Sequence, residues 1–142
     1  MAKRGKKIAK GISYRPGLTP GLPVGAYVRV ADNSGVYLAQ IIAVKGMKTR
    51  LRRLPAATVG DWVKVAAKKA KPGLKGEVLD AVVVRQRKPY RRMDGTWVQF
   101  EDNAIVIITP DGNVKATEIR GPVALEAAMR WPKIGNLASM VV

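Results

Sequence analysis

The chain has 142 residues, with 26 Lys and Arg against 10 Asp and Glu, a formal net charge of +16 and an isoelectric point near 10.6. One domain with a real core is expected, because a domain near this size buries roughly two-thirds of its unfolded surface. With no Cys and no His, disulfides, thiolate nucleophiles, imidazole bases and the usual zinc sites are excluded. No apolar run approaches the ~18 residues of a membrane-spanning helix; the polyanion that so basic a chain calls for is first nucleic acid, with an anionic membrane surface as the rival.

The charge is unevenly spread. Residues 1–93 hold 22 basic and 4 acidic side chains, net +18, whereas residues 94–142 hold 4 and 6, net −2, which predicts two faces with different partners. Residues 1–23 carry Lys3, Arg4, Lys6, Lys7, Lys10 and Arg15 among Gly and Pro, with no acid. Such a segment has no core of its own and is expected to be an extended tail that orders on a polyanion. It lacks the apolar stretch of a signal peptide and the apolar stripe of a membrane-surface helix.

Residues 24–120 read as a β domain. Val24 to Asp32 alternates, with Tyr27 and Arg29 opposite Val28 and Val30, the period of a half-buried strand. Asn33-Ser34-Gly35 is a turn, and Val36 to Val44 is the return strand of a hairpin. Lys45 to Arg53 places five cations, Lys45, Lys48, Arg50, Arg52 and Arg53, in nine residues of loop. Trp62 to Ala66 resumes alternation, and Lys68, Lys69 and Lys71 follow before Pro72-Gly73. Ala66 to Ala70 fits either a strand or one helical turn; the Val78 to Val84 run after Lys75-Gly76 favours strand and a second hairpin.

Val82 to Val84 is a β-branched run too short for a helix, and Trp97, Val98 and Phe100, then Ile105 to Ile108, give two more strand-length apolar segments. Between them Arg85, Arg87, Lys88, Arg91 and Arg92 fall within eight positions without an acid, and Asp94-Gly95 suits a type I′ hairpin turn. Pro110-Asp111-Gly112 is a further turn, with Val114 to Ile119 as the expected return strand. Five or six short strands between such turns predict a small closed barrel, since closure removes exposed edges.

Residues 121–142 change character. Pro122 to Trp131 is bounded by prolines as a short helix, on which Glu126 and Arg130 form the only polar stripe. Its apolar remainder, with Val123, Leu125, Ala128, Met129 and Trp131, fits either a protein-contact surface or packing over the open barrel end. Among the cations, arginine grips phosphate bidentately where lysine offers a point charge, so the two Arg-rich clusters are the expected phosphate clamps. Tyr14, Tyr37 and Tyr90 could each stack on a base or fill an ordinary strand or loop position, whereas Trp62, Trp97 and Trp131 are assigned to core or interface. Carboxylates are scattered, and no glycine-rich phosphate loop precedes a helix; no catalytic residue, metal site or cofactor is expected.

One stretch also carries a resemblance. Ala81 to Val84, nine residues, Asp94-Gly95, four residues, Phe100, two residues, Asn103, two residues, then Val106-Ile107 resembles the signature of the universal large-subunit ribosomal protein L-fourteen family. Ala31 to Gly35, Leu51 to Gly60 and Gly121 to Val123 extend the match, which runs from about Leu22 to the C-terminus. The basic tail and LRRLPAA segment are similar to the archaeal or eukaryotic branch. The resemblance implies a five-stranded β-barrel with a projecting β-ribbon and a small helical C-terminus, acting in the cytoplasmic ribosome as a structural, non-enzymatic constituent of the large subunit. It further implies binding of large-subunit rRNA, a bridge to small-subunit rRNA, neighbouring ribosomal proteins, and receipt of the anti-association initiation factor six by the C-terminal region. On the residues alone two other classes remain, a free single-strand RNA-binding barrel (translation factor or RNA chaperone) and an architectural DNA binder, although few aromatics and none in tandem are present.

Overall fold

The computed structural model describes residues 17–142; the basic positions Lys3 to Arg15 and Tyr14 lie outside them. In chain order the elements are β1 (Leu22–Pro23), β2 (Tyr27–Val30), β3 (Val36–Val44), β4 (Ala56–Ala57), β5 (Trp62–Ala70), β6 (Val78–Arg85), β7 (Tyr90–Arg91), β8 (Trp97–Val98), β9 (Ala104–Ile108), β10 (Ile119–Val123), α1 (Leu125–Arg130), α2 (Pro132–Leu137) and β11 (Ala138–Val141). Strands β2, β3, β5, β6 and β9 close a barrel, all neighbours antiparallel except β2 against β9. The fold is the expected mainly-β barrel, and Ala66 to Ala70 belongs to β5.

Inside the barrel, Val28, Ala39, Ile41, Val63, Val65, Ala81, Val83, Ile105 and Ile107 form the main core. A second core lies outside the same wall, where Val82 and Val84 of β6 and Ala104, Val106 and Ile108 of β9 meet Val123, Ala127, Trp131 and Ile134 of the C-terminal segment. Strands β6 and β9 are therefore buried on both faces, which is why they read as continuous apolar runs while β2 alternates. Trp62 of β5 joins the outer core: its ring meets Trp131 edge-on at 5.6 Å, and its indole N–H donates to Asp80 at 3.0 Å.

The C-terminal segment departs from the reading of the sequence. Pro122 lies within strand β10 rather than starting a helix, and α1 spans only Leu125–Arg130. Pro132, expected as a stop, instead occupies the first turn of α2, where its missing N–H has no cost. Strand β11 then lies parallel to β10. The segment packs along the barrel wall, not over its open end. The expected return strand Val114 to Ile119 reduces to two isolated bridges, Ile108 to Val114 and Asp32 to Ile119, the latter residue opening β10. The Asp94-Gly95 turn is not type I′, which needs positive φ at both residues. Only Gly95 is left-handed, at 90°; Gly95 N–H reaches the Arg92 carbonyl and Arg92 pairs with Thr96, so the loop has three residues.

Burial on these strands sets an expected cost. Ile105→Ala, at a fully buried inward position, should lower stability by about 2–5 kcal/mol. Ile42→Ala, on an exposed barrel position, should stay within about 0.5 kcal/mol. Urea unfolding of both variants measures the difference.

Candidate nucleic-acid interface

Strand order decides where the cations gather. Val44 at the end of β3, Trp62 at the start of β5 and Arg85 at the end of β6 share one barrel end, because β5 pairs antiparallel with both neighbours. The loop 45–55 and the arm 86–92 leave from that end. The first described residues join them: Leu22 pairs with Ala57, the Gln86 amide donates to the Thr19 carbonyl at 2.9 Å, and a Cβ on Gly21 would meet Lys88 Cβ at 2.8 Å. The Lys68, Lys69 and Lys71 cluster lies at the opposite end, where Lys71 N–H bonds the Gly35 carbonyl. The three described clusters thus do not form one patch.

In the loop, Lys48, Arg50, Arg52 and Arg53 are exposed, and the Arg53 guanidinium donates back to the Lys48 carbonyl at 3.1 Å to hold the tip closed. Leu51 and Arg52 are the two non-glycine residues with positive φ among the described ones, 37° and 67°, and Leu51 is 90% exposed. Lys45 is also exposed, with its ammonium 3.8 Å from the centre of the Trp62 ring.

The arm divides into two kinds of residue. Arg87, Lys88 and Arg91 are exposed and take part in no ion pair with a described residue. Arg85, Tyr90 and Arg92 are turned inward, contrary to the phosphate-facing and base-facing roles expected of them. A register shift between Val83 and Arg85 re-aims the Arg85 side chain. It is 8% exposed, donates to Asp102 from Nε at 2.9 Å and from Nη2 at 3.2 Å, and bonds the Arg120 and Pro122 carbonyls from Nη1 at 2.9 Å each. Gly121, at φ 74°, lies so close that a Cβ there would meet Arg85 Nη1 at 2.8 Å. Arg85 is therefore an internal brace between β6, the Asp102 turn and β10.

Tyr90 is fully buried and donates its hydroxyl to Glu126 at 2.8 Å. Arg92 gives Nε to the other Glu126 oxygen at 2.7 Å and Nη2 to the Val142 carbonyl at 2.6 Å. Burial, and then the Glu126 carboxylate, push the Tyr90 phenol well above its ordinary ionisation range. Arg130, the other half of the expected polar stripe, reaches Asp61 at 3.1 Å. Of the expected protein-contact residues, Val123 and Trp131 are buried in the outer core, Ala128 is half-buried, and Leu125 and Met129 are exposed. Trp97, assigned to core or interface, is 65% exposed on the hairpin. Arg29, which the sequence reading placed only in a strand, is exposed beside Tyr27, Arg87 and Asn103 in a hollow of about 650 Å³.

Comparison with known proteins places the sequence in a family. The model of Ribosomal protein L14p/L23e matches residues 21–142. The chain belongs to that family. Similar members are the large ribosomal subunit proteins uL14 of Thermofilum pendens, 57% identical over all of both chains, and of Pyrobaculum islandicum, 56% identical over all of both chains. That of Saccharolobus solfataricus is 57% identical over 92% of this chain and 95% of its own. The family match begins at residue 21, where the chain enters the β1–β4 pairing.

The inward cations predict separable effects. Arg85→Ala should cost about 1–3 kcal/mol of stability by leaving Asp102 and two carbonyls unpaired, yet leave the salt dependence of RNA binding unchanged. Arg87→Ala or Arg91→Ala should do the reverse, each lowering the slope of log affinity against log salt by about one unit. For Tyr90 the sign follows from its raised ionisation: its contribution is complete below about pH 10, where the unfolded phenol titrates, and is lost as pH rises through the folded value. Tyr90→Phe should therefore lower stability by about 0.5–1.5 kcal/mol at neutral pH and flatten the alkaline decline, as measured by urea unfolding across pH 8–11.

Proposed function

We propose that the protein is a structural, non-enzymatic constituent of the large ribosomal subunit, working in the cytoplasmic ribosome. The observation that carries this is the full-length likeness to relatives named large ribosomal subunit proteins. On this reading the chain grips large-subunit rRNA through phosphate contacts, in the manner of proteins that read RNA shape rather than sequence. The arginine-rich barrel end is the main grip, with Lys48, Arg50, Arg52 and Arg53 on one side and Arg87, Lys88 and Arg91 on the other. The tail cations Lys3 to Arg15 add to it, since the chain enters the described structure at this same end. Lys68, Lys69 and Lys71 make a separate contact at the far end, suited to a second RNA segment such as the small-subunit rRNA of an intersubunit bridge.

The nearly neutral C-terminal side serves polypeptides. Leu125 and Met129 stand exposed on α1, and Met140 and Val141 on β11, an apolar surface fit for neighbouring ribosomal proteins and for the anti-association initiation factor six. Arg85, Tyr90, Arg92 and Trp131 hold this side to the barrel rather than touching partners.

Two measurements test the reading. The full chain should co-sediment with large subunits in moderate salt and prefer an rRNA fragment to mixed-sequence DNA duplex at physiological salt; equal affinity contradicts it. Met129→Asp should weaken binding of the factor more than binding of RNA, and the opposite ranking would overturn the division of faces.

A further inference from the structure

The β7–β8 hairpin exposes an aromatic surface that phosphate contacts leave unexplained. Tyr90 pairs with Val98, and both turn inward; Arg91 pairs with Trp97, and both turn outward. Alternation fixes this, since neighbouring residues on a strand face opposite sides and register partners share one face with Cβ atoms about 5 Å apart. An indole ring and a guanidinium therefore stand side by side on the outer face of the arm. Trp62 and Trp131 are buried, so Trp97 is the single exposed indole among the three tryptophans.

Its surroundings select a ligand. Arg87, Lys88 and Arg91 are exposed on the same arm without an ionic partner among the described residues. The hairpin's acid, Asp94, sits at its tip, where its carboxylate accepts the Thr96 N–H at 2.9 Å. A broad aromatic face amid cations suits a nucleobase, which brings its own phosphates, better than an apolar peptide, which would leave the cations unanswered.

We propose that Trp97 is a stacking platform for one unpaired base of RNA, with Arg91 holding the phosphate beside it. The inference rests on the RNA-binding reading above and adds to it a base-contacting residue. The site takes single-stranded or bulged RNA, because a base inside a duplex offers no free face.

The test uses the full chain and two probes, an oligoadenylate RNA of about ten nucleotides and an abasic strand of the same length. Oligoadenylate should quench the emission of the exposed indole; the abasic strand should not. Trp97→Ala should abolish the quenching and weaken oligoadenylate binding at least about fivefold, with the salt slope unchanged because no charge is removed. Trp97→Phe should keep most of the affinity, which separates stacking from damage to the hairpin. Unchanged oligoadenylate affinity in Trp97→Ala, or equal quenching by the abasic strand, overturns the platform. An Arg87→Ala, Lys88→Ala double variant reads the phosphate contacts through the salt slope, so failure of the platform is distinguished from failure of RNA binding itself.

Discussion

Burial of both faces of β6 and β9 is the constraint from which the rest follows. A strand in a small barrel ordinarily shows one face to water, but these two must be covered outside as well as in. The cover is the C-terminal segment, too short to form a core alone and stable only against Val82, Val84, Val106 and Ile108. Trp131 fastens it by donating its indole N–H to the Gly60 carbonyl at 2.8 Å, at the foot of β5. Barrel and appendage thus share a buried apolar interface.

The same constraint explains why part of a basic cluster is internal. Chain leaving β6 packs against the C-terminal segment and the first described residues, so Arg85, Gln86, Tyr90 and Arg92 face protein while 87–89 and Arg91 face out. Arg85, Tyr90 and Arg92 accept that position by binding Asp102, Glu126 and backbone carbonyls. A buried guanidinium is tolerated only with such a full set of partners. The acids of the C-terminal third serve partly as these partners, which gives the charge asymmetry of the sequence a structural cause besides a functional one.

The barrel itself was legible in the residues. Val36–Val44 appears with the bounds its pattern gives, and β6 and β9 follow their β-branched runs. What was not legible depends on tertiary contacts. Nothing local separates Arg85 from Arg87; a register shift and the Asp102 carboxylate do. Pro122 and Pro132 each have a place at a helix start, and only the β10–β11 pairing decides that the first lies in a strand. Composition leaves Trp97 as core or interface, and a two-residue strand pairing decides against core by sending it outward. Spacing along the chain could not show that the two Arg-rich clusters share a barrel end while the lysine cluster lies opposite; strand order does.

Rigid placement is what such a body supplies. Disordered cations would bind RNA equally indiscriminately, whereas a closed barrel fixes the loop 45–55 and the arm 86–92 relative to each other and holds a nearly neutral surface elsewhere. Lysine acylation footprinting of the full chain, with and without a large-subunit rRNA fragment, tests this most directly. Strong protection of Lys48 and Lys88 is the predicted result, with Lys115 and Lys133, the two exposed lysines of the nearly neutral stretch 94–142, left reactive. Protection of Lys115 and Lys133 equal to or greater than that of Lys48 and Lys88 would contradict it.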